Sequence, residues 1–166
     1  ASFDGKPLNN GFSLFHLNIR SALKKFDEFC VWLCNLSHKP SALCFTETWY
    51  DVNMPPGMLN GYSVINIPRA LQAGGGVCMY IQSQYTFITH SFNSYTTFEH
   101  CIITLNSPRP TCIALVYRPP SSSLPIFLEE NDDLLASIAK QFLNFDIFLT
   151  GDFNIDLLAL DNNNSL

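Results

Sequence analysis

Four short apolar runs in this chain each stop on a polar residue, and that pattern narrows how it can fold. They are Phe12-Ser13-Leu14-Phe15-His16-Leu17 before Asn18, Ala42-Leu43-Cys44-Phe45 before Thr46-Glu47, Cys112-Ile113-Ala114-Leu115-Val116 before Tyr117-Arg118, and Phe145-Asp146-Ile147-Phe148-Leu149 before Thr150-Gly151-Asp152-Phe153-Asn154. Runs of this length and composition read as strands. Sheets of α/β proteins build their sites where the C-terminal ends of strands meet loops. The side chains delivered there are Asn18, Glu47, Tyr117, Asp152 and Asn154.

In the last run, alternate side chains of an extended backbone share a face. Asp152 and Asn154 are therefore expected to point together while Phe153 packs behind. A carboxylate beside a carboxamide suits a phosphate-cleaving site, where the carboxylate holds a hard cation or takes a proton from water. The same two residues also end strands simply because they make good turns.

At 166 residues the chain is long enough to bury one core, and a 47% apolar content with only 14% charged residues excludes a disordered segment. No apolar run reaches the ~18 residues of a membrane span. No basic stretch followed by an apolar one opens the chain, so no secretory signal is read. The net charge of −5 does not favour nucleic acid as a partner of the whole surface. Arg20, Lys24, Lys25, Arg69 and Arg118 nevertheless fall near strand ends or the first helix, where they form a local phosphate track or are simply solvated. The six cysteines lie within apolar patterns without Cys-x-x-Cys or zinc spacing, and read as reduced, buried thiols.

Along the chain, residues 1–11 form a loose polar lead-in and residues 12–166 one domain. Ser21 is placed to cap a helix running to about Leu36, with Leu23, Phe26, Phe29, Cys30 and Leu33 on its buried face. Tyr62 to Ile67, Val77 to Ile81, Tyr85 to Ser91, His100 to Leu105 and Thr111 to Tyr117 read as strands, and a second helix is expected from about Pro125 to Leu143. Gly74-Gly75-Gly76 lacks the Gly-Lys-Ser/Thr of a phosphate loop and reads as a tight entry into a strand. Glu129, Glu130, Asp132 and Asp133 lack calcium-loop spacing and are expected to be solvated near the helix start. The order of elements suits two packed sheets flanked by helices.

Five motifs together resemble one family. Leu17-Asn18-Ile19-Arg20-Ser21, Thr46-Glu47-Thr48-Trp49, Gly74-Gly75-Gly76-Val77-Cys78-Met79-Tyr80-Ile81, Val116-Tyr117-Arg118-Pro119-Pro120 and Gly151-Asp152-Phe153-Asn154 are similar, in order and spacing, to the endonuclease/exonuclease/phosphatase superfamily. The nearer resemblance is to the apurinic-type endonuclease domain of non-LTR (LINE-type) retrotransposons, and it runs from about Phe12 to Leu158. It implies an α/β four-layer sandwich of two packed mixed sheets between helices, and metal-assisted hydrolysis of a phosphodiester with Mg2+ or Mn2+. The nick in DNA would prime reverse transcription by a reverse transcriptase domain expected downstream, in the nucleus.

The resemblance also implies roles for individual residues. Glu47 would bind the metal, Asp152 orient or deprotonate water, and Asn154 hold that water or a phosphate oxygen. Asn18 would hydrogen-bond the phosphate or cap the first helix, and Tyr117 would place its hydroxyl on developing charge or be a half-buried strand tyrosine. Arg20 and Arg118 would contact substrate, although Arg20 stands where many relatives carry an acidic residue. Trp49 is expected to pack beneath the site.

The family closes its site with a C-terminal Ser-Asp-His segment, whereas His16, His38, His90 and His100 all precede the Gly-Asp-x-Asn strand and nothing matches that segment. The chain is therefore expected to be incomplete at its C-terminus, to leave an unpaired sheet edge, and not to nick DNA until extended through such a segment. The alternatives are an inactive remnant of the same fold and a phosphoesterase acting on small molecules.

Overall fold

The structure, a computed structural model, describes residues 11–69, 74–107 and 109–156. The expected lead-in falls almost wholly outside these residues. Strands β1 (Leu14–Asn18), β2 (Ala42–Thr46), β3 (Tyr62–Ile67) and β4 (Val77–Gln82) form one sheet, and β5 (Phe87–His90), β6 (Glu99–Ser107), β7 (Arg109–Tyr117) and β8 (Asp146–Asp152) form another. The orders are β1-β2-β4-β3 and β5-β6-β7-β8. Helix α1 (Ala22–Cys34) joins β1 to β2, and α2 (Leu124–Gln141) joins β7 to β8. Those two crossovers make β1·β2 and β7·β8 parallel, whereas the other strand pairs are antiparallel.

Side-chain alternation sorts the core into three slabs. Ala42 and Cys44 of β2, Val77, Met79 and Ile81 of β4, and Ile113, Leu115 and Tyr117 of β7 meet between the sheets. The intervening residues Leu43, Phe45, Cys78 and Tyr80 face α1 through Ala22, Phe29 and Leu33. On the far side Cys112, Ala114 and Val116 face Phe127, Leu134 and Ile138 of α2. The central strands are buried on both faces, which is why they read as unbroken apolar runs. The result is the expected α/β four-layer sandwich of two mixed sheets.

Local differences have physical causes. Ser21 occupies the N-cap of α1, but at φ 78° its side chain makes no capping bond. Leu23, expected inward, is exposed, because Ala22 in the first turn faces the sheet. Cys34 is exposed at the end of α1, and all six thiols are free. Strand β8 is the edge of its sheet among the described residues, and Ile147, Phe148 and Leu149 stand about two-fifths exposed (41%, 41% and 39%).

The acidic stretch of α2 is not merely solvated. The Glu130 carboxylate accepts from the backbone N–H and hydroxyl of Thr96 at 2.9 and 2.8 Å and from those of Thr97 at 3.0 and 2.5 Å. Asp133 accepts from the Tyr95 hydroxyl at 2.8 Å. These bonds latch the loop before β6 onto the helix. Partial burial alone would raise the Glu130 pKa, but the bonds from Thr97 and Thr96 reverse this and hold it at about 2. A carboxylate depressed in the fold stabilises it above its unfolded value, and that contribution is lost as pH falls from about 4.5 toward 2. Glu130→Gln is therefore expected to cost about 1 kcal/mol at pH 7, after allowance for solvent contact, and almost nothing near pH 2. Urea unfolding at the two pH values measures the difference; an equal cost at both would rule out the ionised latch.

Candidate active site

Each parallel pair ends at the same edge of the sandwich. Asn18 is the last residue of β1 and Tyr117 and Asp152 the last of β7 and β8, while Glu47 follows β2 by one residue. Registers Asn18↔Thr46 and Tyr117↔Asp152 align the ends within each sheet, and face-to-face packing brings the two ends together.

One amide group joins them. Asn18 Nδ2 donates to Glu47 Oε1 at 2.9 Å and to Asp152 Oδ2 at 2.6 Å. Two carboxylates separated by more than a hundred positions in the chain are thus gripped by a single NH2 group. Asn18 Oδ1, on the same amide, is buried with no partner. The Tyr117 hydroxyl hydrogen-bonds to Glu47, and burial first, then the Glu47 charge, pushes its pKa up to about 12. It is therefore a protonated donor at neutral pH.

The Glu47 turn is held in a costly shape. Glu47 and Trp49 lie at φ 53° and 58°, left-handed values that non-glycine residues seldom adopt. Hydrogen bonds pin the turn from both sides. Ser21 and Ala22 donate to the carbonyls of Glu47 and Thr48 at 2.9 Å, while Thr48 and Trp49 donate to those of Gly76 and Gly75 at 3.3 and 2.9 Å. Gly74, Gly75 and Gly76 all have positive φ, so the glycine run is the tight strand entry expected from sequence. Its further task is to back the acidic turn.

Other expected residues take different places. The strand stops at Asp152, and Asn154 turns left-handed at φ 49°, so strand alternation does not carry its side chain alongside Asp152. Its backbone N–H donates to Asp152 Oδ1 at 3.1 Å and its Nδ2 to the Arg118 carbonyl at 2.7 Å. It shapes the turn that carries Asp152, and Phe153 packs behind against Phe127 as expected. Arg118 is only 5% exposed, and its guanidinium donates to the carbonyls of Phe153, Asn154 and Ser122. It clamps this turn to the start of α2, which leaves it facing inward rather than toward a substrate. Arg20 is exposed between β1 and α1, so of the expected basic track only Arg20, Lys24 and Lys25 stand in the open. Trp49 does not pack beneath the site, since it is 39% exposed.

One residue lining the site escaped notice in sequence. His16 lines a cavity of about 330 Å³ with Asp152 and Asn154, and its ring lies 3.3 Å from Thr46 Oγ1. Burial lowers its pKa while the Asp152 charge opposes the shift. Its signal was its place two residues before Asn18, on the same strand face. Arg69 pairs with Glu99 and lies with its guanidinium carbon 5.8 Å from the centre of the Tyr117 ring. Glu99 also accepts from the Gly76 N–H at 2.5 Å, which ties Arg69 to the glycine run.

Two four-stranded mixed sheets with a helix on each outer face make a four-layer α/β sandwich. No protein-family model and no curated protein sequence matches the chain. Among solved structures, a 3′ phosphatase from Neisseria bound to a product DNA hairpin superposes with a TM-score of 0.62 at 15% identity, covering 87% of this chain and 58% of that one. The AP endonuclease of Leishmania major gives 0.63 at 18% identity, with 87% and 55% covered. The endonuclease domain of TRAS1, a telomere-specific non-LTR retrotransposon, gives 0.62 at 11% identity, with 89% and 62% covered. The chain thus spans little more than half the length of these solved chains, and at such identities the likeness establishes the fold.

Proposed function

We propose that this chain carries the acidic half of a metal-dependent phosphodiesterase site, and that its parent nicks DNA in the manner of a non-LTR retrotransposon endonuclease. The observation that carries the proposal is the Asn18 amide holding Glu47 and Asp152 at one point. The buried, partnerless Asn18 Oδ1 beside two carboxylates fits a hard divalent cation, which prefers oxygen ligands. No group of three or more His, Cys, Asp or Glu gathers among the described residues. One or two carboxylates with water and phosphate completing the sphere suit Mg2+ or Mn2+.

Glu47, with Asn18 Oδ1, would hold that ion, which when bound supplies positive charge to the non-bridging and leaving oxygens. Asp152 accepts the proton of the water attacking phosphorus in line. The new P–O bond forms as the P–O3′ bond breaks, and the departing oxygen takes a proton from solvent to leave a 3′-hydroxyl. Tyr117, protonated, would turn its single O–H from Glu47 to charge developing on the phosphoryl group. The five-motif resemblance supports the retrotransposon branch, in which the released hydroxyl would prime a downstream reverse transcriptase on nuclear DNA.

Mn2+ titration of residues 1–166, followed by water-proton relaxation, tests the site without requiring turnover. One ion is expected to bind, and Glu47→Gln to weaken it by about 10- to 100-fold. Unchanged affinity in that variant would remove Glu47 as a ligand.

A further inference from the structure

Trp49 stands on the rim of this site without the packing that explains most tryptophans. The other tryptophan, Trp32, lies 4.8 Å from the Phe15 ring and 5.4 Å from that of Phe29, centre to centre. No aromatic ring packs against Trp49 among the described residues, and 39% of it meets solvent. Thr48 is fully buried, whereas Trp49 beside it reaches solvent. The left-handed backbone at Trp49 and its N–H bond to the Gly75 carbonyl fix where the indole starts. Gly74 lies under the ring, where a methyl group would come 3.6 Å from the indole nitrogen. Across the same glycines, Arg69 brings a guanidinium toward Tyr117, and its Nη2 is buried without a partner.

A flat apolar face held in strained backbone, two residues from the proposed metal ligand, matches the face of a nucleobase. We propose that Trp49 stacks on a nucleobase adjacent to the phosphodiester bound at Glu47, making the substrate a nucleic acid with an accessible base rather than a small phosphoester. This rests on the reading of Glu47 and Asp152 as a phosphodiester site. Every base offers a stacking face, so the contact confers affinity without a fixed sequence preference.

The test uses residues 1–166 with Ca2+ in place of Mg2+ and reads binding. A labelled single-stranded oligodeoxynucleotide and a base-free deoxyribose-phosphate oligomer of equal length are compared by fluorescence anisotropy. The base-bearing strand is expected to bind about 5- to 100-fold more tightly. Trp49→Ala should abolish that difference and Trp49→Phe retain most of it, with circular dichroism confirming that both variants fold. In a Trp32→Phe background, quenching of the remaining indole should accompany binding of the base-bearing strand alone. Equal binding of the two oligomers, no binding of either, or a difference that survives Trp49→Ala overturns the inference. Base-dependent binding by a protein whose Mn2+ affinity ignores Glu47→Gln would instead sink the phosphodiesterase reading and leave the stacking platform standing.

Discussion

Gly151→Ala is expected to destabilise the fold by about 3 kcal/mol or more, among the largest losses a single methyl group can cause. Gly151 lies inside β8 at φ 146°, a region that side-chain-bearing residues rarely enter. A Cβ there would sit 1.8 Å from the Val116 carbonyl oxygen. That oxygen belongs to the backbone of β7, which is paired on both sides by β6 and β8 and cannot withdraw without opening the sheet. Urea unfolding at neutral pH measures the effect. A variant as stable as the parent would show that the two strands do not approach in this way.

Asp152→Ala is expected to separate stability from chemistry. Losing the acceptor for the Asn154 N–H and for Asn18 costs about 1 kcal/mol, partly offset by relief of repulsion from Glu47. Removing the group proposed to take the proton of the attacking water should lower Mg2+-dependent nicking by about 100- to 10,000-fold. Supercoiled plasmid is the substrate, and the chain is to be carried on through a Ser-Asp-His segment. Nicking at the parent rate by the variant would strip Asp152 of the proposed role. The neighbouring positions thus make a matched pair, one expected to break the fold and the other the reaction.

Much of this site could be read before any coordinates, because it is built from strand ends. A strand declares itself by an apolar run, and its C-terminal end follows by counting, so Asn18, Glu47, Tyr117 and Asp152 were legible as one set. Residues whose places depend on what happens after the strand were not. Strand alternation predicts Asn154 beside Asp152 and the resemblance predicts Arg118 on substrate, yet the chain turns left-handed at Asn154 and Arg118 folds inward onto carbonyls. Trp49 was assumed to be buried, as most tryptophans are, and nothing local announces a left-handed residue that is neither glycine nor asparagine. Glu130 looked like any solvated helix carboxylate because its four donors lie more than thirty positions away. Long-range partners of surface residues leave no periodic trace.

The Asn18–Asp152 hydrogen bond spans the gap between two separately built layers. Neither layer holds both acids of the proposed centre, so their spacing is set by how squarely one sheet rests upon the other. Loosening a methionine or valine in the slab between them, far from any phosphate, would let the layers slip and pull the acids out of alignment. Reactivity in such a molecule should fade under mild denaturant before its helices melt.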